Sequence, residues 1–204
     1  MMYSKSHTLV FGFHGCDKSL VESIINCQDE MKPSKNGYDW LGFGIYFWEN
    51  DVSRALEWAQ HLKANPGVYS QKINEPAVLG AIIDLGYCLD LLNYRFLSED
   101  IDFAYQTLKD SYSVSGDIMP TNSGGPDKLL RPLDCLVLET LHDYNKSQGR
   151  PAFDTVRGAF LEGEEPYPTA GFKQKNHIQI CVRNPNCIKG YFIPREPDTS
   201  YLIP

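Results

Sequence analysis

The chain has 204 residues, 42% of them hydrophobic and 22% charged, with a formal net charge of -7. That length suits one domain with a substantial core, no apolar run approaches the roughly 20 residues a membrane-spanning helix needs, and the acidic balance argues against broad electrostatic capture of nucleic acid, a local basic groove aside. The six cysteines (Cys16, Cys27, Cys88, Cys135, Cys181 and Cys187) have no C-x-x-C spacing, so free core thiols in a reducing compartment are expected rather than a disulfide frame or a zinc site.

Met1 to Thr8 is polar and carries no apolar leader segment, so no secretory signal and a cytoplasmic location are expected. Thr8 to Phe13 reads as a short buried strand ending at His14-Gly15-Cys16. Ser19-Leu-Val-Glu22 is a capping-box pattern, predicting a helix to about Asn26. Residues 28 to 37, with Pro33 and Gly37, read as a loop, and Gly44 to Trp48 as a second strand. Asn50 or Asp51 caps a helix to about Lys63, with Val52, Ala55, Leu56, Ala59 and Leu62 at helical spacing.

Residues 64 to 76 read as a loop, followed by an apolar strand from Ala77 to Leu85 that continues into Gly86-Tyr-Cys-Leu-Asp90. Ser98 caps a predicted helix to about Lys109. The Ser, Gly, Pro and Asn-rich stretch 110 to 126 is a long loop, of a kind often functional. A helix from about Asp127 to Lys146 aligns Leu130, Leu133, Val137 and Leu141. Asp154 to Phe160 is the next strand. The Glu162 to Asn176 loop, the strand His177 to Arg183, the turn Asn184-Pro-Asn186 and a last strand from Ile188 to Ile193 complete the chain, with an extended tail from Pro194. Strands and helices mix without regular alternation, which favours an α+β architecture over a doubly wound sheet. No G-x-G-x-x-G opens a helix and no Walker sequence is present, so Rossmann and P-loop readings are weak.

The stretch from Tyr38 to Glu49 stands out. Gly42 and Gly44 precede the aromatic run Tyr46-Phe47-Trp48 just before a helix. Glycines there let backbone approach something flat or phosphate-bearing, with an aromatic ring at hand to stack on it. A turn leading into a core strand explains the same residues.

Three blocks in order, Phe13-His14-Gly15-Cys16, Gly42-Phe43-Gly44-Ile45-Tyr46-Phe47 before a helix, and His177-Ile178-Gln179 through Asn184-Pro185, resemble the ADP-ribosyltransferase fold of the poly(ADP-ribose) polymerase and diphtheria-toxin type. The resemblance implies a single domain over residues 1–204, with split mixed β-sheets flanked by helices, and NAD as substrate with no metal. It implies that His14 hydrogen-bonds a ribose hydroxyl through one ring nitrogen, and that the Gly15 peptide clamps the nicotinamide amide. Gly44 and Tyr46 would form the pocket, Tyr46 stacking on the pyridine ring. Trp58 would close the sandwich from the following helix, with one residue inserted near Asp51, and Arg54, one turn earlier, would meet the phosphates. For His14, Tyr46 and Trp58 core packing is the competing explanation, and for Arg54 a solvated surface position.

Aligned on the Asn184-Pro turn, Gln179 stands where the family has its catalytic glutamate. An amide accepts a hydroxyl hydrogen bond but brings neither negative charge nor a general base. Glu162, Glu164 or Glu165 in the preceding loop is a candidate substitute carboxylate, a solvated acidic loop being the alternative. Lys173 and Lys175 would guide an anionic acceptor, and His177 would orient or deprotonate it. The expected function is therefore mono-ADP-ribosylation of a protein or nucleic-acid acceptor with release of nicotinamide. The alternatives are a non-catalytic NAD or ADP-ribose-binding module and an NAD glycohydrolase. A toxin or defence role would follow by analogy only.

Overall fold

The computed structural model describes residues 9–66 and 72–202. Seven strands form one hydrogen-bonded sheet: β1 (Leu9–Asp17), β2 (Ile45–Glu49), β3 (Pro76–Asp84), β4 (Cys88–Asp90), β5 (Thr155–Phe160), β6 (His177–Val182) and β7 (Ile188–Phe192). Their order is β4-β5-β6-β2-β1-β3-β7. Every neighbouring pair is antiparallel except β4 with β5. With helices α1 (Lys18–Ile25), α2 (Val52–Ala64), α3 (Asp102–Ser115) and α4 (Pro132–Ser147) the class is α+β.

The sheet is continuous by hydrogen bonding, but its two halves are barely joined. β1 and β3 stay paired from Leu9↔Asp84 to Asp17↔Pro76, whereas β1 and β2 share only Gly12↔Glu49 and Phe13↔Trp48. The inner faces of the halves close on each other. Ile45 and Phe47 of β2 and Ile180 and Val182 of β6 share one buried cluster with Ala81 and Ile83 of β3. Gly12 lies at the fold line, where an added Cβ would sit 2.6 Å from Ile83 Cδ1 and 2.8 Å from Phe47 Cβ. On the outer face, α3 and α4 cover Val156, Phe160 and Cys181, and Ala55 and Trp58 of α2 pack on Phe13 and Trp48. α1 packs on Leu79 and Cys16.

Several boundaries differ from expectation. β1 runs on through His14-Gly15 to Asp17, because β3 supplies partners along its whole length. Asp17, not Ser19, caps α1, its carboxylate accepting from the Ser19 amide and hydroxyl and from the Asn74 and Glu75 amides. The apolar run from Ala77 to Asp90 divides at Gly86 (φ +58°) into β3 and β4, which lie in opposite halves of the sheet. The helix expected from Ser98 begins as a π-helical turn over Phe96–Ile101 and continues as α3 to Ser115, capped by left-handed Gly116. The long loop thus shifts to residues 116–131, and α4 starts at Pro132, the proline fitting a position that needs no amide. Part of the 64–76 loop, residues 67–71, lies outside the described residues.

Candidate functional site

The site follows from where β1 and β2 part. Pairing ends at Phe13↔Trp48, and the His14 side chain takes over. Its Nδ1–H donates to the Tyr46 carbonyl across 2.8 Å. A carbonyl only accepts, so the imidazole is the Nδ1–H tautomer with Nε2 left as an acceptor. Burial lowers the His14 pKa, against the smaller opposing effect of that hydrogen bond, and holds the ring neutral. His14 sits beside Phe47, ring centroids 6.0 Å apart. Tyr46 projects to the other face, in register with Cys181.

The next residue, Gly15, is buried and has no register partner on β2. The Asn50 amide donates to Phe11 O at 2.9 Å, so the backbone groups of Phe11 point toward β2. Strand alternation then points those of Phe13 and Gly15 the same way. At Gly15 no β2 residue is paired with them. Gly15 is also where α2 crosses closest, an added Cβ falling 1.9 Å from Ala55 O. Only glycine fits under that crossing.

Register aligns one row across the outer face: Gly158, Gln179, Trp48 and Phe13, with Tyr46 and Cys181 in the adjacent row. Gln179 is half-buried, and its amide nitrogen lies 3.1 Å from His177 Nε2. The His177 side chain is sealed from solvent, its Nδ1–H donating to Lys175 O at 2.7 Å. It is walled by Trp40, Trp48 and Phe160, with centroids 6.2, 6.3 and 5.7 Å away. Burial lowers its pKa. His177 therefore has no surface from which to touch an acceptor, contrary to the role expected of it. Lys175 is likewise engaged, by Glu57, and Lys173 by Asp127 at 2.8 Å.

Of the loop carboxylates, Glu162 enters the site while Glu164 and Glu165 are exposed. The Lys175 amide bonds Glu162 O at 2.9 Å, extending the β5–β6 ladder and turning the Glu162 side chain inward. Its carboxylate meets Arg54 Nη2 at 2.9 Å and stands 3.9 Å from His177 Nδ1. Arg54 is no solvated surface residue: its side chain is 12% exposed and is shared between Glu162 and Glu57. Trp58 packs near Trp48, centroids 6.3 Å apart, and stacks on His61.

Tyr46 is a clasp as well as a ring. Its hydroxyl donates to Gly42 O at 2.6 Å and accepts from the Leu41 amide at 2.8 Å, and burial pushes its pKa well up. The two glycines of the stretch bring backbone close to protein atoms. An added Cβ on Gly42 would lie 2.4 Å from Glu139 Oε1, and one on Gly44 2.5 Å from Cys181 Sγ. Both backbone groups of Gly44 are spent on Ser34, which makes it a packing position rather than a ligand contact. Glu139, with Arg183, fixes this turn through bonds to the Phe43 amide and carbonyl.

Sequence reading missed Trp48. Its Nε1, like Arg54 Nε, is a buried donor with no partner among the described residues. Such groups are rare enough to call for an acceptor. The signal was its place two residues after Tyr46, on the same strand face. A concavity of about 460 Å³ also lies in the loop that leads into β6, lined by Gly163 to Pro168 and Lys173. All six thiols are free, and burial pushes Cys16 up to about 12. Among the described residues, no helix is long and apolar enough to cross a membrane.

No protein-family profile matches the chain. An uncharacterized protein of Methanocaldococcus jannaschii is 24% identical over 197 residues, covering 87% of this chain and 83% of its own. The crystal structure of an anti-CRISPR protein aligns over 87% of this chain and 93% of that one, with a TM-score of 0.37 and 12% identity.

Proposed function

We propose that the protein binds NAD at the parting of β1 and β2 and transfers its ADP-ribose to a macromolecular acceptor, releasing nicotinamide. The observation that carries this reading is the Gly15 peptide, which no β2 residue pairs, next to the neutral His14. One peptide edge offers the donor and acceptor that a carboxamide needs, and His14 Nε2 accepts a ribose hydroxyl, whereas the Tyr46 ring, on the opposite face and packed against the α3–α4 cluster, holds the Leu41–Gly42 turn. Gln179 Oε1 takes a second hydroxyl. Trp48 Nε1 and Arg54 Nε are donors that an oxygen-rich ligand would satisfy.

On this reading the negative charge that Gln179 lacks comes from Glu162. The carboxylate is within the site already, held by Arg54. A pyrophosphate competing for Arg54 would free Glu162 to face the developing positive charge at the ribose C1, where a fixed anion is most effective. The bond from C1 to nicotinamide breaks as an acceptor atom bonds C1, and the acceptor's proton passes to solvent or to Glu162.

The closed Arg54–Glu162 pair and the uncharged Gln179 favour one second reading, a module that binds NAD or ADP-ribose without turnover. Purified protein incubated with labelled NAD and cell lysate separates the two. Transfer predicts free nicotinamide together with labelled macromolecule. Calorimetric NAD binding without either product would leave the binding module, free ADP-ribose without labelled macromolecule would mean hydrolysis, and absence of binding would sink both readings.

A further inference from the structure

We propose that His177 is a positioning residue that holds the Gln179 side chain with its carbonyl oxygen, not its amino group, turned to the ligand. The inference rests in part on the NAD reading above, which supplies the hydroxyl that this oxygen would meet. The geometry itself stands apart from that reading. Three groups form a chain: Lys175 O, His177 and Gln179, with contacts of 2.7 and 3.1 Å.

The first link fixes the last. Lys175 O has no proton to give, so His177 Nδ1 must carry one. A neutral imidazole then has a bare Nε2, which accepts and cannot donate. The Gln179 atom facing it must therefore be the NH2 group, and Oε1 is turned away. With the amide reversed, two acceptors would face each other at 3.1 Å. This network leaves the amide one orientation. Gln179 Oε1 has no protein partner among the described residues and is not a buried orphan, so it is open to a ligand hydroxyl.

The surroundings maintain the neutral ring. Trp40, Trp48 and Phe160 enclose it, and Arg131 lies against Trp40 and Phe160, 4.0 and 4.8 Å from their centroids. Arg54 from α2 repels a second proton, while Glu162 from the loop and Asp51 at the α2 cap attract one. Protonation would turn Nε2 into a donor, draw Oε1 back to His177 and present the NH2 group to the ligand, which cannot accept a hydroxyl hydrogen. His177 thus makes an uncharged glutamine work as a one-sided acceptor.

Two measurements test this. Long-range ¹H–¹⁵N NMR of the free protein at neutral pH should show the Nδ1–H tautomer for His177; an Nε2–H tautomer or an imidazolium overturns the proposal whatever the protein's activity. NAD turnover is then compared for His177→Gln, whose side-chain oxygen reaches the Nε2 position, and His177→Leu, which offers no acceptor. The expected result is kcat within about threefold for the first and lowered about tenfold or more for the second, with little change in KM. Thermal unfolding checks that both variants fold. Wild-type turnover by folded His177→Leu overturns the proposal. If the wild type neither binds nor turns over NAD, the NAD reading fails, and the tautomer still decides the orientation of Gln179.

Discussion

Gln179 shows how far one residue's chemistry can be read before its neighbours are known. Strand alternation puts it on one face with His177 and Cys181, but its place opposite Trp48 is set by the β2–β6 register, the direction of its amide depends on His177, and His177 depends on a carbonyl in the preceding loop. If charge at this point limits the reaction, Gln179→Glu should raise nicotinamide release about tenfold or more, since a fixed carboxylate stabilises an oxocarbenium-like centre that an amide does not. A carboxylate cannot donate to His177 Nε2, so the imidazole would take up a proton and pair with it. Unchanged or lower release would assign the charge to Glu162, and Glu162→Gln should then be the variant that loses turnover. Lys175 and His177 teach the opposite lesson. Both looked available in the sequence, and both are consumed by neighbours, Glu57 in one case and a sealed hydrogen-bond chain in the other.

At the level of elements, α2 does the most to shape the site. Of its five positions read at helical spacing, Ala55, Ala59 and Leu62 are buried, Leu56 is half-buried and Val52, in the first turn, is exposed. What the spacing did not reveal is that its backbone passes directly over Gly15. Gly15→Ala places a methyl 1.9 Å from Ala55 O and 3.2 Å from Ala59 N. Helix backbone does not yield as a flexible side chain would, so the variant should lose about 1–3 kcal/mol or more in urea unfolding, with α2 displaced from β1. Wild-type stability for Gly15→Ala would show that the helix sits higher than described. The cap of α1 was displaced by two residues for a related reason. The local pattern Ser19 to Glu22 competes with Asp17, and Asp17 wins because it also gathers the Asn74 and Glu75 amides from across the fold.

For the molecule as a whole, the sheet divides its strength unevenly: long ladders within each half and two register pairs between them. Buried neutral histidines make its stability sensitive to acid. Burial lowers the pKa of His14 and His177 and brings His142 to about 4. A histidine of ordinary pKa, about 6.5, binds its proton earlier in the unfolded chain, so the unfolded state holds more protons below that point and stability falls as pH drops. The urea midpoint should decline from about pH 6.5 downward, before most carboxylates titrate, and His142→Asn should flatten part of that decline; a midpoint constant between pH 6.5 and 5 would contradict it. The α+β class, most strands, the course of α2 and the block containing Tyr46 were determined by the sequence alone, because hydrophobic period and capping chemistry act over a few neighbouring residues. The parting of β1 from β2, the union of His14 with the Tyr46 carbonyl, the entry of Glu162 rather than Glu164 or Glu165 and the orientation of Gln179 were decided only by the tertiary structure. Each depends on which distant backbone group or charge happens to be nearest, and local spacing carries no record of that.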